Sequence, residues 1–307
     1  MANPSFLTWS DVEHGVAAPV SPLIRRVIAD NPGKFTYTGT GTYLIGTGEV
    51  AVVDPGPDNR AHVEALLREL DGETVSHILV THTHSDHSPA TRALVAETDA
   101  TTYGFGPHPP DDIRPVEPET DGEPAAGEEP GDFAFVPDVT VGHGDSIEGA
   151  GWKVEAVHTP GHISNHLCFA LEQEHTLFSG DHVMGWSTTV IPPPAGDLRA
   201  YIASLRLVID RDDQRYLPTH GPPIDHPRPY VEWLLEHRLE RERQIIGQLE
   251  LGPRTIPEIV AVLYAAVDEK LHKPAGLSVY AHLLALEADG TVAPVTDEGS
   301  EAIYRLT

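Results

Sequence analysis

Cysteine is nearly absent from this chain of 307 residues. The single cysteine, Cys168, excludes an internal disulfide framework and any cysteine-rich zinc finger. Because Cys168 lies within the apolar run 167–170, we predict a buried thiol rather than a nucleophile. Long hydrophobic runs are absent as well. None approaches the roughly 20 residues that span a bilayer, so we expect no contact with a membrane.

Positive charge is also scarce. Only 20 Lys and Arg residues stand against 47 Asp and Glu residues, and the formal net charge is −27. So acidic a surface is well solvated and resists non-specific attachment to nucleic acid. We interpret it as adaptation to a salty or crowded cytoplasm. The start of the sequence lacks a basic segment followed by an apolar stretch, so we expect no signal peptide and a cytoplasmic location.

What the chain does contain, up to residue 225, is an alternation of strand and helix patterns. A helix with apolar positions at Val63 and Leu66 is predicted after Asp58, its expected N-cap. The length suits one large domain and one small domain, and we predict the first over residues 1–225. Its predicted strands lie near 43–45, 50–53, 78–80, 154–157, 167–171 and 176–178.

Residues 107–132 interrupt this alternation. The segment carries seven prolines, nine carboxylates and one arginine. Such a composition cannot bury enough apolar surface to fold alone, so we predict a mobile acidic loop. A tolerated insertion is the simplest interpretation, and calcium binding or partner docking is the alternative.

Residues 226–307 have a helical character and are predicted to form a second domain. The first helix carries an apolar stripe and ends at Gly252-Pro253. Thr255 and Glu258 predict a capping box for the second helix. Ser278 is the predicted cap of the third helix, and two short strands are expected near 291–293 and 303–306. Three helices and a β-ribbon favour a winged-helix domain. The apolar stripe of the first helix consists of Leu235, Leu239, Ile246 and Leu249.

The strongest chemical signal is the run Thr81–His87, directly after the predicted strand 78–80. It offers three imidazoles and a carboxylate within six residues. In a tightly turned loop, His82 and His84 can face one ion while Asp86 and His87 reach a second. Zinc accepts such nitrogen and oxygen ligands at about 2.0–2.2 Å. A lone histidine is usually structural, but four ligand types at this spacing favour a metal site.

Three later residues repeat the arrangement of strand, small-residue turn and ligand. They are His162, Asp181 and His220. Loops at strand ends commonly carry sites on a rigid scaffold. Together with the run 81–87, they predict a site for two metal ions.

The run 82–87, taken with the three later residues, resembles the signature of the metallo-β-lactamase superfamily. The resemblance implies an α+β fold, namely a four-layer αβ/βα sandwich with two zinc ions at one edge of its paired sheets; iron or manganese are alternatives. It implies that Asp181 bridges the ions and that Asp54 orients the cluster without binding metal. It further implies one ion held by His82, His84 and His162, and another held by Asp86, His87 and His220.

The whole chain is similar to the β-lactamase-like protein two group, which joins this fold to a C-terminal winged helix. The segments 178–186, 192–194 and 217–223 carry this similarity. The implied activity is a zinc-dependent hydrolase that uses a metal-bridging hydroxide. Asp86 is expected to orient the hydroxide and accept its proton. His166 and His182 are candidate proton donors to the leaving group, although packing roles are the simpler interpretation of both.

Two substrate classes remain open. The subgroup resemblance implies a phosphodiesterase, or endoribonuclease, on single-stranded RNA. The bridging aspartate is equally compatible with a thioesterase or small-ester hydrolase that resembles the glyoxalase II branch. β-Lactam hydrolysis is disfavoured, because the familiar binuclear enzymes carry cysteine where this chain has Asp181. An iron persulfide dioxygenase is a further alternative, whereas a flavo-diiron reductase and a winged-helix transcription factor are disfavoured.

Charge in the second domain bears on this choice. From His226 onward there are eight Lys and Arg residues but thirteen Asp and Glu residues. A module that grips phosphates usually presents a basic face, so this balance weakens the case for RNA. Capping of the active site or formation of a homodimer are the alternative roles for the winged helix.

Overall fold

The computed structural model describes residues 6–110, 130–266, 268–296 and 299–307. Most of the predicted acidic loop, from 111 to 129, lies outside the described residues. Within the described chain, no helix is long and apolar enough to cross a bilayer. These residues form three β-sheets, of seven, six and three strands.

The first sheet contains seven strands that lie side by side in chain order. Strands β4, β5 and β6 run parallel, so their carboxyl ends lie at the same edge of the sheet. Two helices, α1 (Arg60–Glu69) and α2 (Thr91–Thr98), connect these parallel strands. The strands β1 to β7 are Ala18–Pro19, Ile24–Ile28, Gly41–Ile45, Glu49–Val53, Thr74–Leu79, Thr101–Gly104 and Val139–Thr140.

The second sheet contains six strands in the order β13-β12-β11-β10-β9-β8. Its parallel pair, β11 and β12, is connected through helix α3 (Leu198–Ile209). The other neighbours in this sheet are antiparallel. The strands β8 to β13 are Ser146–Gly149, Trp152–His158, Leu167–Leu171, Thr176–Gly180, Arg215–Pro218 and Ile224–Asp225.

The two sheets stack face to face, and helices cover their outer faces. Tyr43 and Phe178 belong to the apolar core between the sheets. Leu66 on α1 belongs to the core on the outer face of the first sheet, and Leu205 on α3 to the core on the outer face of the second. The expected four-layer αβ/βα sandwich is therefore present, and the predicted burial of Cys168 is confirmed.

The remaining residues form three helices and a small sheet, as expected for a winged helix. Helix α4 packs against α3, and its Val231 and Leu234 share the core that contains Leu205. The helices and the small sheet have a second core of their own, which includes Ile259 and Leu283. These elements are α4 (Arg228–Leu249), β14 (Arg254–Thr255), α5 (Ile256–Leu263), α6 (His272–Ala288), β15 (Val292–Pro294) and β16 (Ile303–Leu306).

The predicted helix caps have mixed outcomes. The capping box of Thr255 and Glu258 is confirmed at the start of α5. The cap of α1 is Asn59 and not Asp58, because the Asn59 side chain accepts hydrogen bonds from two N–H groups of the first turn. The prediction for Ser278 is wrong: α6 begins at His272, because a helix tolerates proline in its first turn.

The predicted stripe on α4 is displaced. Of its four members, Leu249 is buried, whereas the other three are only partly buried. The fully buried positions instead include Leu234, Arg238 and Ile245. The reason is that α4 packs against α3 on one side and against α5 and α6 on another, so a single apolar stripe does not describe it.

Candidate metal centre

The ligand-type residues follow strands whose ends meet at one edge of the two stacked sheets. Asp54 follows β4, and the run Thr81–His87 follows β5. Asp181 and His220 follow β11 and β12, the parallel pair of the second sheet. Backbone hydrogen bonds join these ends: Leu167 N–H donates to the Thr81 carbonyl, and Thr219 N–H to that of Gly180. The sheet topology thus brings together residues far apart in sequence.

Three imidazoles form the first group, and all of them are buried. His84 Nδ1 lies 2.9 Å from His82 Nε2 and 3.0 Å from His162 Nε2. Three ring nitrogens that converge in this way suit one face of a tetrahedral site, since the nitrogens around a zinc ion lie about 3.3 Å apart. The structure therefore places His82, His84 and His162 as one candidate ligand group.

The second group contains one carboxylate and two imidazoles. Asp86 Oδ2 lies 2.9 Å from His220 Nε2 and 3.4 Å from His87 Nε2. All three side chains are buried. This group is the second that the family resemblance implies, and its ligand atoms lie close enough together to hold one ion.

Asp181 lies between the two groups and faces both of them. Its Oδ1 is 3.7 Å from His87 Nε2 and 3.6 Å from His220 Nε2. Its Oδ2 is 3.9 Å from His162 Nε2. One carboxylate oxygen is therefore directed at each group, which is the arrangement that a bridging ligand requires.

Each of four imidazoles has one ring nitrogen engaged outside the cluster. His87 Nδ1 donates to Asp54 Oδ2 at 2.9 Å, and His162 Nδ1 to the Val190 carbonyl at 2.7 Å. The Nδ1 of His220 lies 3.3 Å from the Gly39 carbonyl, and that of His82 lies 3.1 Å from Thr81 Oγ1. A histidine held in this way presents the lone pair of its Nε2 to the centre.

Gly39 is constrained at this point. Its φ is +123°, and a Cβ there would approach the Ala29 carbonyl oxygen to 2.1 Å. Only glycine therefore lets the backbone pass close enough to offer its carbonyl to His220.

Asp54 connects the ends of three strands. Its carboxylate accepts hydrogen bonds from the N–H and hydroxyl of Thr81 and from the hydroxyl of Thr219, each at 2.8 Å. With His87 it therefore has four donors, while its side chain is completely buried. The predicted orienting residue is placed where it can fix both a ligand and the surrounding loops.

The charges of the centre fit divalent cations. Burial, reinforced by neighbouring imidazoles, holds the pKa values of His82 and His84 well below their usual range, so both rings are neutral and able to bind metal. Burial opposes a charge on His87 as well, yet Asp86, Asp181 and Asp54 together raise its pKa well above the usual range. The cluster therefore has an excess of negative charge.

Two unpaired atoms support the same conclusion. His87 Nε2 and Asp181 Oδ1 are buried and have no hydrogen-bond partner. Within the described residues, no lysine or arginine forms an ion pair with Asp54 or Asp181, whose charged neighbours are imidazoles. Burial of a carboxylate or of an unpaired ligand atom costs desolvation free energy unless a partner compensates it. A pair of divalent ions would compensate both.

The two predicted proton donors lie beside the centre and are completely buried. His166 Nδ1 is 2.9 Å from Thr159 Oγ1, and its Nε2 accepts the Asp181 N–H at 3.1 Å. Burial lowers the pKa of His166 well below its usual range and that of His182 to about 3. Both rings are therefore neutral, and His166 holds the backbone of Asp181.

The ends of the acidic segment are attached to the ligand loop. The Thr83 carbonyl accepts the Asp132 N–H at 2.7 Å, and the Thr83 hydroxyl pairs with His108 Nδ1 at 2.8 Å. Ser85 N–H donates to the Pro130 carbonyl. Asp132 forms an ion pair with Arg92 at 3.0 Å. Sequence reasoning missed these anchors, because they depend on backbone groups and on contacts across the fold.

Comparisons with known families cover both parts of the chain. Residues 38–220 match the family described as the metallo-beta-lactamase superfamily. Residues 255–300 match the family described as the beta-lactamase associated winged helix domain.

Two relatives are similar over most of their length. A beta-lactamase-like protein 2 homolog from Drosophila melanogaster is 32% identical over 291 residues, which cover 91% of this chain and 92% of that protein. An atrochrysone carboxyl ACP thioesterase from Aspergillus chevalieri is 34% identical over 269 residues, covering 83% of this chain and 78% of that protein.

Two solved structures share the fold of nearly the whole chain. A beta-lactamase domain protein from Burkholderia ambifaria has a TM-score of 0.76 and 21% identity, and covers 97% of this chain and 96% of its own. A metallo-beta-lactamase family protein from Thermus thermophilus has a TM-score of 0.70 and 24% identity, and covers 94% of this chain and 100% of its own.

Proposed function

Because the chain belongs to the metallo-beta-lactamase superfamily, we propose that it is a hydrolase with two metal ions and that its substrates are acyl thioesters. One observation carries the part of this proposal that concerns the two-metal hydrolase. Seven buried ligand-type side chains converge in three groups, which overlap at His82 and His87 and one of which contains Asp181. A site of this composition suits hydrolysis of a bond next to a carbonyl or phosphoryl group.

In this proposal the two groups hold one ion each. His82, His84 and His162 hold the first, and Asp86, His87 and His220 hold the second. Asp181 would contribute to holding both ions, since one of its oxygens is directed at each group. Zinc suits the mixture of nitrogen and oxygen ligands, and iron or manganese are the alternatives.

When bound, the two metal ions polarise the substrate oxygen and lower the pKa of water at the site to near neutrality. The chain orients and supports this chemistry. Asp54 fixes the ring of His87 through a 2.9 Å hydrogen bond. Asp86, a member of the second group, would orient the attacking water and accept its proton. His166 holds the backbone of the bridging residue through the Asp181 N–H.

A thiolate leaves readily without a strong proton donor, and this bears on the choice of substrate. The two histidines beside the centre are buried and neutral, with pKa values far below the physiological range. A thiol has an ordinary pKa near 8.5, so it can depart as a thiolate without a proton from either histidine. The thioesterase name of the Aspergillus chevalieri relative points to the same chemistry.

The net charge supports a small uncharged substrate over a polyanion. At −27, the chain repels RNA at long range, although the metal ions attract phosphate locally. Single-stranded RNA, which the resemblance to the β-lactamase-like protein two group implies, is therefore the comparison substrate in the test.

The test uses zinc-loaded protein, a panel of uncharged acyl thioesters of N-acetylcysteamine and labelled single-stranded RNA. The His82→Ala variant removes one ligand, and His143→Ala is the matched control because His143 is exposed. We expect thioester turnover that the first variant abolishes and the second retains. RNA cleavage with the same dependence on His82, without thioester turnover, would replace the proposal with a nuclease. Turnover that survives in His82→Ala would contradict the metal site itself.

A further inference from the structure

A buried arginine connects the C-terminal helices with the loop that follows β11. Arg238 lies on α4, and its side chain is only 7% exposed. Its Nη2 donates to the backbone carbonyl of Thr189. Thr189 lies on the loop between β11 and α3, eight residues after the bridging Asp181. A residue outside the sandwich thus reaches the segment that surrounds the metal centre.

That segment is bonded to two of the candidate ligands. The hydroxyl of Thr189 lies 2.9 Å from the carbonyls of both Asp181 and His182. The carbonyl of the next residue, Val190, accepts the Nδ1–H of His162 at 2.7 Å. The dipeptide 189–190 is therefore held by Arg238 on one side and contacts both a bridging and a terminal ligand on the other.

The arginine is itself supported from two directions. His282 on α6 lies with Nε2 3.2 Å from the Arg238 carbonyl. The guanidinium lies 5.5 Å from the ring of Tyr201 on α3, and the Tyr201 hydroxyl donates to the His182 carbonyl at 3.1 Å. All three helices around the arginine thus take part in one polar network that ends at the metal centre.

Burial of the Arg238 guanidinium carries a large desolvation cost. Within the described chain, no carboxylate forms an ion pair with Arg238, and its Nε has no hydrogen-bond partner. An apolar side chain of similar volume would pack at this site without the desolvation cost. The partners that offset this cost are the ring of Tyr201 and the Thr189 carbonyl, and the inference rests on the hydrogen bond to the carbonyl.

We infer that Arg238 is a positioning residue for the metal centre, through which helix α4 holds the dipeptide 189–190 against Asp181 and His162. The inference rests on the metal-binding part of the proposed function. Release of the Thr189 carbonyl would let Val190 move, and His162 would then lose the acceptor that fixes its tautomer and its orientation. Outer partners of metal ligands typically contribute about 10–100-fold to metal affinity.

The test measures zinc affinity by competition with a chromophoric chelator, so it needs no substrate. Arg238→Met preserves volume and removes the donors. Arg243→Met is the control on the same helix, since Arg243 is exposed and pairs with Glu236 and Glu240. For Arg238→Met we expect about 10-fold weaker binding of zinc with an unchanged near-ultraviolet circular dichroism spectrum. For the control we expect wild-type affinity.

Two variants of Thr189 keep the test informative if Arg238→Met does not fold. Thr189→Val removes only the hydroxyl and should weaken zinc binding, whereas Thr189→Ser retains the hydroxyl and should restore it. In the double variant Arg238→Met, Thr189→Val, the loss should be smaller than the sum of the two, because both changes release the same loop.

The outcomes separate this inference from the proposed function. Wild-type affinity in folded Arg238→Met, or in Thr189→Val, would overturn the inference and leave the metal site intact. Wild-type protein that binds no metal would overturn both. An additive double variant would show that the two residues act independently and would also contradict the inference.

Discussion

At the scale of single residues, two of the three Thr-His pairs at the candidate metal centre are used in the same way. Thr81 precedes His82 and Thr219 precedes His220, and both threonine hydroxyls donate to Asp54. Each pair follows the end of a strand, one in each sheet. Asp54 thus connects the end of a strand in the first sheet with the end of a strand in the second, beside the candidate ligands.

Asp54→Asn should weaken metal binding without unfolding the protein. The amide keeps the shape of the carboxylate, but its NH₂ group cannot accept the hydrogen bonds that Asp54 accepts. The ring of His87 would then lose the partner that fixes its orientation. We expect zinc affinity to fall about 10–100-fold, as measured by chelator competition. Asp58→Asn is the control, because Asp58 is exposed and lies outside the centre. Equal affinity in both variants would remove the orienting role.

Asp181→Ala should have a larger effect, since both oxygens of this carboxylate face candidate ligand groups. We expect the loss of at least one equivalent of zinc per chain and a loss of activity beyond the about 100-fold typical of outer partners. Elemental analysis and turnover assays measure the two effects. Asp212→Ala, at an exposed position, should match wild type. Full activity with two zinc ions in Asp181→Ala would contradict the bridging role.

The ligand-type side chains could be predicted from the sequence because each is of a metal-binding type and follows a strand signal. The partners that hold them could not. The carbonyls of Gly39 and Val190 have no signal of their own in the sequence, since every residue carries a carbonyl. Thr189 and Arg238 were missed because only the fold brings them close to His162. The Thr-His pair was the one signal for the role of Thr81 and Thr219, but it also marks Thr83, whose hydroxyl pairs with His108 instead of Asp54.

At the scale of elements, α1 begins with a buried histidine that is constrained by its surroundings. His62 lies in the first turn of α1, with Nε2 2.9 Å from the hydroxyl of Thr42. Burial lowers its pKa to about 4, against the weaker opposing effect of the Pro55 carbonyl. The amino end of a helix also disfavours a positive charge. The ring is therefore neutral in the folded protein.

This burial predicts a loss of stability in acid. In the unfolded chain His62 has an ordinary pKa near 6.5, so between pH 6.5 and pH 4 the unfolded state binds more protons. The free energy of unfolding then falls as the pH falls through this window. For metal-free protein we expect the difference in stability between pH 7 and pH 5 to be about 2 kcal/mol smaller in His62→Gln than in wild type.

Urea denaturation at the two pH values measures this difference. His143→Gln, at an exposed position, provides the control and should retain the wild-type dependence. An unchanged dependence in His62→Gln would show that the ring is already protonated in the fold.

Strands marked by continuous apolar runs could be predicted closely, whereas the buried positions of a helix with neighbours on two sides could not. The strands that line the core between the sheets, such as β10 and β11, lie where their apolar runs indicated. Helix α4 contacts neighbours on two sides, so its buried positions differ from the predicted stripe. The start of α6 was missed, because the prediction began the helix at Ser278, whereas it begins at His272 and its first turn accommodates Pro274.

At the scale of the whole molecule, the acidic segment joins two anchors beside the metal centre. The anchors are residues 107–110 and 130–132, whose contacts reach Thr83, Ser85 and Arg92. All of these contacts are made by described residues. They tie the ends of the segment to the ligand loop independently of residues 111–129.

Replacement of residues 111–129 by a short glycine-serine linker should therefore leave zinc content and the unfolding midpoint close to wild type. Elemental analysis and urea denaturation measure both quantities. The matched control disrupts one anchor instead: Asp132→Ala removes the ion pair with Arg92 and the hydrogen bond from Ser88, and should lower stability. A cooperative loss of structure in the linker variant would contradict the prediction of a tolerated insertion.

The core that α4 shares with α3 has a consequence for the exchange of modules between relatives. Val231 and Leu234 of α4 pack with Leu205 of α3, and Ala281 of α6 belongs to the same core. The match to the winged-helix family begins only at residue 255, after α4 has ended. A chimaera cut before α4 would leave an apolar face of α3 uncovered and would be prone to aggregate. A successful graft should therefore keep α4 with its own sandwich, join the foreign module after Leu249, and restore a small residue opposite α3 where Ala281 now lies.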